Sequence, residues 1–112
     1  MRTITAVIRP HQWDEVKTAL VRMGIVDITL SDVKGFGRQK GLLQQYRGSD
    51  AQIRFQRKLK VEVKVDPGMV APVLEKITLA ARTGQVGDGK IFVSPLDKVV
   101  QIRTGEERVE LP

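Results

Sequence analysis

The chain has no cysteine and a single histidine, His11. It therefore has no disulfide framework, thiolate metal site or thiol nucleophile, and one imidazole cannot build a histidine-rich metal site. No nucleophile–base pair can be assembled from this set, which argues against an enzyme. Aromatic residues are only 4% of the chain, so the core of a single copy is modest. No apolar run approaches the length of a membrane span, and no basic-then-apolar leader opens the chain. The expectation is one soluble, cytoplasmic domain of 112 residues.

What the chain has in quantity is positive charge, and it is unevenly placed. Of the formal net +6, a net +5 lies between Phe36 and Lys58, where Arg38, Lys40, Arg47, Arg54, Arg57 and Lys58 face Asp50 alone. A localised field of this kind steers anionic partners. The same stretch, from Gly37 to about Gln56, has no sustained hydrophobic period. Long irregular excursions inside a compact domain are uncommon and usually functional or disordered, which marks 37–57 as a binding loop.

The flanks are regular. Ile4, Ala6 and Ile8 alternate as in a half-buried strand, and Pro10 ends that run. Trp13, Val16, Leu20 and Met23 recur at helical spacing, with Gly24 as the stop. Val26, Ile28 and Leu30 alternate again, predicting a second strand that continues into Val33–Gly37. In Leu59–Val65 four apolar side chains alternate with Lys60, Glu62 and Lys64, the clearest strand in the chain. A second amphipathic helix follows through Val70, Val73, Leu74, Ile77 and Ala81, then a strand at Ile91–Val93 and a short fifth at Val99–Arg103. The polar tail, 104–112, is expected to be mobile. With an offset of 57, Ile4, Ala6, Ile8 and Pro10 fall on Val61, Val63, Val65 and Pro67. Two tandem β-α-β units predict an α+β, ferredoxin-like β-α-β-β-α-β sandwich with both helices on one sheet face. A sheet left bare on its other face suggests a homo-oligomer.

Between the second helix and the strand at Ile91 lies a glycine-rich loop, 82–90, with Gly84, Gly87 and Gly89 closed by Lys90. Backbone N–H groups unshielded by Cβ, together with a lysine, suit phosphate oxygens, although the motif alone fits an ordinary glycine turn equally well. Gly84–Lys90 satisfies most of the G-x-x-x-x-G-K-[ST] pattern but ends on Ile91, with no hydroxyl for magnesium. A helix also precedes the loop and a strand follows it, the reverse of the order that pattern requires. Arg9 and His11 at the first helix start would suit an anion as well, but an ordinary strand-to-helix turn is the simpler reading.

Thr83-x-x-x-Gly87-Asp88-Gly89-Lys90-Ile91-Phe92-Val93-x-x-Leu96, with Val33–Gly41, Tyr46-Arg47-Gly48, Lys58 and Arg103-Thr104-Gly105, resembles the PII nitrogen-regulatory signal-transduction family without a gap from about Met1 to Glu106. The resemblance implies a homotrimer with ATP or ADP in inter-subunit clefts, sensing 2-oxoglutarate and controlling a protein target, such as a transporter or metabolic enzyme, through the long loop. Membrane contact would then be only indirect. By position, Arg38, Gly87, Gly89 and Lys90 would contact phosphates, with Arg103 reaching from the adjacent subunit. Thr29, Glu62 and Val63 would line the adenine and ribose pocket, and the implied nucleotide site also takes in Val7, Gly35, Gly37, Val86, Asp88 and Gln101. Gln39 would hold Mg2+ together with 2-oxoglutarate and the phosphates, alongside Lys40, Gly41 and Lys58. Leu42, Leu43, Tyr46, Arg47 and Arg54 would meet the partner.

Three departures stand out. Ala51 replaces the family's modifiable tyrosine, so nucleotidylylation there is chemically impossible. Gln101 replaces an arginine, keeping hydrogen bonding but losing a charge on the phosphates. Leu42–Gln45 and Arg54-x-Gln56-Arg57 depart from the usual loop, which implies a changed partner. Ser49 falls where some relatives are phosphorylated, though a loop serine is usually only that. The competing reading takes the basic loop as a nucleic-acid or anionic-surface arm; only Phe36, Tyr46 and Phe55 are there for stacking, and no recognition helix is present.

Overall fold

The computed structural model describes residues 1–36 and 55–110. Strand β1 (Arg2–Ile8) leads into helix α1 (Trp13–Arg22), then β2 (Thr29–Phe36) and β3 (Phe55–Val65). Helix α2 (Val70–Ala81), β4 (Gly89–Pro95) and two short strands, β5 (Val99–Val100) and β6 (Glu107–Arg108), complete the described chain. The main sheet runs β2-β3-β1-β4, and every pairing in it is antiparallel. This is the ferredoxin-like arrangement that the tandem units predict.

The repeat holds beyond its strands. Pro10 and Pro67 each open a single 3-10 turn that runs into a helix, a position where proline's missing N–H costs nothing. The same offset carries Trp13, Val16 and Leu20 onto Val70, Val73 and Ile77. Val16, Leu20, Val73 and Ile77 are all fully buried. Against them lie Ile4, Ala6 and Ile8 of β1 and Val61, Val63 and Val65 of β3, with Trp13 and Leu59 packed at the margin. Among the described residues no polar or charged side chain is buried. The α1 terminus is closed as expected: Gly24, at φ 82°, donates to Val21 and Ile25 donates to Leu20, the hydrogen-bond pair of a Schellman motif.

Several boundaries differ from expectation. Val26 is 79% exposed and precedes β2, which begins only at Thr29, so its alternation with Ile28 reflects connecting chain. β3 begins at Phe55, placing Phe55–Arg57 of the expected loop in a strand. Main-chain pairing with β2 extends the ladder there, supported by an Arg57–Asp32 ion pair at 3.4 Å, where apolar alternation has already ended. β5 stops at Val100 because the chain reverses: the Gln101 N–H donates to the Glu106 carbonyl at 2.8 Å and the Gly105 N–H to the Gln101 carbonyl at 2.7 Å. Gln101 and Arg103 thus sit in a turn, and the polar tail contributes β6 to a small hairpin.

Candidate functional site

The sheet has a covered face and a bare one, and register sorts the candidate residues between them. Ile4, Ala6 and Ile8 point to the helices, so their neighbours Thr5 and Val7 point away. On the bare face Thr29, Glu62, Thr5 and Phe92 form one row across the four strands, and Ser31, Lys60, Val7 and Lys90 form the next. Lys58, opposite Val33, begins a third row at the sheet end where β4 leaves the glycine loop. Val7, Thr29, Glu62, Lys58 and Lys90, far apart in sequence, therefore share one surface. Val63 does not: its side chain is wholly buried beneath the helices, so only its peptide group is available to a ligand on the bare face. Gly35 lies in β2 on that face, opposite Gln56.

The glycine loop is tied to this surface by residues that the sequence reading either passed over or assigned elsewhere. Arg9 donates from Nε to the Asp88 carboxylate at 3.1 Å and from a terminal nitrogen to the Val86 carbonyl at 2.8 Å. The Asp88 carboxylate also accepts from the Thr83 N–H at 2.8 Å, the Gly84 N–H at 2.9 Å and the Thr83 hydroxyl. Led by the Thr83 hydroxyl, these hydrogen bonds hold the Asp88 carboxyl far below the usual carboxylate range. Lys58 donates from Nζ to the Gly87 carbonyl, joining the loop to the stem of the long excursion. Desolvation, and then the neighbouring Arg9 cation, lower the Lys58 pKa. A partly desolvated cation beside another cation is a charge that an anionic ligand would relieve.

The loop's amides are unequally committed, and that of Gln85 donates to the Thr83 hydroxyl oxygen at 3.3 Å. Those of Thr83 and Gly84 are taken by Asp88, so the cradle is narrower than its glycine count implies. Those of Val86 and Gly87, the two central residues of a hydrogen-bonded turn, make no hydrogen bond to any described residue. Lys60 and Lys90, side by side with Val7 between them, form no ion pair with a described residue. Two successive donors next to exposed lysines make a surface suited to phosphate oxygens. Glu62, in the adjoining row, is held below its ordinary pKa chiefly by a hydrogen bond from Lys64 and accepts from the Thr5 hydroxyl at 3.4 Å.

Two further predicted residues, among those described, are not brought to this surface. Gln101 and Arg103 lie on the β5–β6 hairpin and make no hydrogen bond to the loop among the described residues. Gly37, Arg38, Gln39, Lys40, Gly41, Leu42, Leu43, Tyr46, Arg47 and Arg54 lie outside the described residues. Among the described residues no cluster of three or more His, Cys, Asp or Glu could hold a metal ion, and no helix is long and apolar enough to cross a membrane. Arg9 had a signal in sequence as a cation at a strand end, but nothing there pointed to Asp88.

Fold and site together define a ferredoxin-like domain that carries a basic, glycine-loop surface on its bare sheet face. A family model described as "Nitrogen regulatory protein P-II" matches residues 1–106. A nitrogen regulatory protein P-II from Synechocystis sp. is 56% identical over 110 residues, 98% of each chain, and one from Azospirillum brasilense is 50% identical over 107 residues, 96% of each. The crystal structure of Arabidopsis thaliana PII bound to citrate aligns with a TM-score of 0.77 at 37% identity, covering 97% of this chain and 91% of that one. The chain belongs to the nitrogen regulatory protein P-II family of signal-transduction regulators, as its motifs imply.

Proposed function

We propose that this chain is a non-enzymatic, cytoplasmic adenylate sensor that binds ATP or ADP and controls a protein target through its long loop. The observation that carries this is the pair of amides, Val86 and Gly87, that have no partner among the described residues, beside Lys58, Lys60 and Lys90 on one face. Gly87, Gly89 and Lys90 hold the phosphates, joined by Arg38 and by Arg103 from an adjacent subunit. Thr29, Glu62 and the Val63 peptide border the base and ribose. The bare sheet face, with Phe92 at 53% exposed, supports a homotrimer in which neighbouring copies cover it and complete each site. Calorimetry with ATP and ADP, each with and without magnesium, should give binding with both; no heat from either nucleotide would sink this reading.

The second ligand is 2-oxoglutarate, a dianion suited to Lys58 with Gln39, Lys40 and Gly41. Gln39 stands in for the missing loop hydroxyl as a magnesium ligand, so the metal, when bound, links nucleotide phosphates to the long loop. Lys58 supports this coupling from the protein side, because it belongs to β3 and also hydrogen-bonds the glycine loop. Ligand occupancy changes loop order only through a difference in affinity for two loop states. Binding of 2-oxoglutarate should require Mg-ATP, and Gln39→Ala should abolish it while ADP binding survives. Equal 2-oxoglutarate affinity in both proteins rejects the magnesium link. With Ala51 in place of tyrosine, the target is reached without covalent modification at that position.

A further inference from the structure

We infer that Asp88 is, through its side chain, a positioning residue of the glycine loop: its carboxylate touches no ligand but fills the first half of the cradle and thereby sets where ligand phosphates sit. This rests on the nucleotide reading above and assigns a role within that site.

A carboxylate among phosphate oxygens repels them, so its presence in a phosphate loop needs a physical reason. The reason is local. Asp88 collects the Thr83 and Gly84 amides, the Thr83 hydroxyl and Arg9 Nε, a donor set of the kind an anionic ligand would otherwise attract. The Arg9 and Asp88 side chains are only 24% and 23% exposed, so the pair is better shielded from solvent than a surface ion pair. With that half of the loop occupied from within, the amides left for a ligand among the described residues are those of Val86 and Gly87, next to Lys90. Arg9 fixes the loop at two points, since it also binds the Val86 carbonyl, which lies between the Val86 and Gly87 amides. The glycine pattern from Gly84 to Lys90 thus holds two anion places in series, one taken by the protein and one offered to the ligand.

Asp88→Asn keeps the side-chain shape but removes the charge and one acceptor. In the ligand-free, full-length protein, amide hydrogen exchange at Thr83 and Gly84 should quicken at least several-fold while the urea midpoint hardly moves, because the opening is local. Losing charge-assisted hydrogen bonds should weaken ATP and ADP alike by about tenfold, equally with and without magnesium. Arg9→Gln should produce a similar loss, and the double variant should lose less than the two losses combined, since both act through one contact. Unchanged exchange, unchanged affinity or fully additive losses overturn the assignment. A loss seen only with magnesium also overturns it, by placing Asp88 on the metal. A wild-type chain that binds neither nucleotide overturns the underlying reading as well, whereas normal wild-type binding with an unaffected variant overturns this assignment alone.

Discussion

Gly89→Ala should cost on the order of 3 kcal/mol of stability or more and abolish nucleotide binding together. Gly89 begins β4 opposite Ile8 at a φ of 113°, and a Cβ there would lie 1.8 Å from the Val7 carbonyl oxygen. The clash is with backbone of a central strand, so no side-chain rotation relieves it. Either β4 detaches from β1 or the loop shifts away from Lys90, and both outcomes displace the proposed phosphate donors. Gly84→Ala is the matched control: φ is 87°, yet nothing lies within 4 Å of the added Cβ. That change should cost about 1 kcal/mol, the penalty of left-handed backbone alone. Urea denaturation of both variants, with calorimetry against ATP, checks this; equal costs at the two glycines would refute the close-approach argument.

Leu20→Ala and Ile77→Ala should each destabilise the protein by about 2–5 kcal/mol, the range for emptying a fully buried aliphatic site. Both side chains are completely buried, on α1 and α2 respectively, at equivalent positions of the two repeat units. Domain stability is typically about 5–15 kcal/mol, so either change removes a large share of it. Leu79→Ala, on the same helix as Ile77 but 60% exposed, should change the denaturation midpoint little. A loss below about 1 kcal/mol at Leu20 or Ile77 would contradict their place in the core.

The two groups of predictions differ in how far the sequence could anticipate them. The core was legible because burial on one face imposes a period: two for Ile4, Ala6 and Ile8, three to four for Val73 and Ile77. Repeating that pattern after Pro10 and Pro67 supplied the topology, since a β-α-β unit has few ways to pack. The pattern weakened where the apolar demand disappeared. Arg57 and Lys58 lie in β3 without the alternation that marks Leu59–Val65, and Val26 alternates although it is exposed connecting chain. At Gln101 a backbone reversal through Gly105 outweighed the strand tendency of Val99–Ile102.

By itself, then, the sequence determined the ferredoxin-like fold and the family and singled out the glycine loop as the candidate place for phosphate, because each depends on residue type and spacing along the chain. Only the tertiary structure decided which of that loop's donors are engaged within the protein. Arg9 and Asp88 are separated by 79 positions, and Lys58 and Gly87 by 29; their contacts arise from strand register and from where α2 delivers the chain. Hydrogen-bond satisfaction is a property of neighbours in space, so only the folded chain could divide the loop's donors between those Asp88 fills and those left for a ligand.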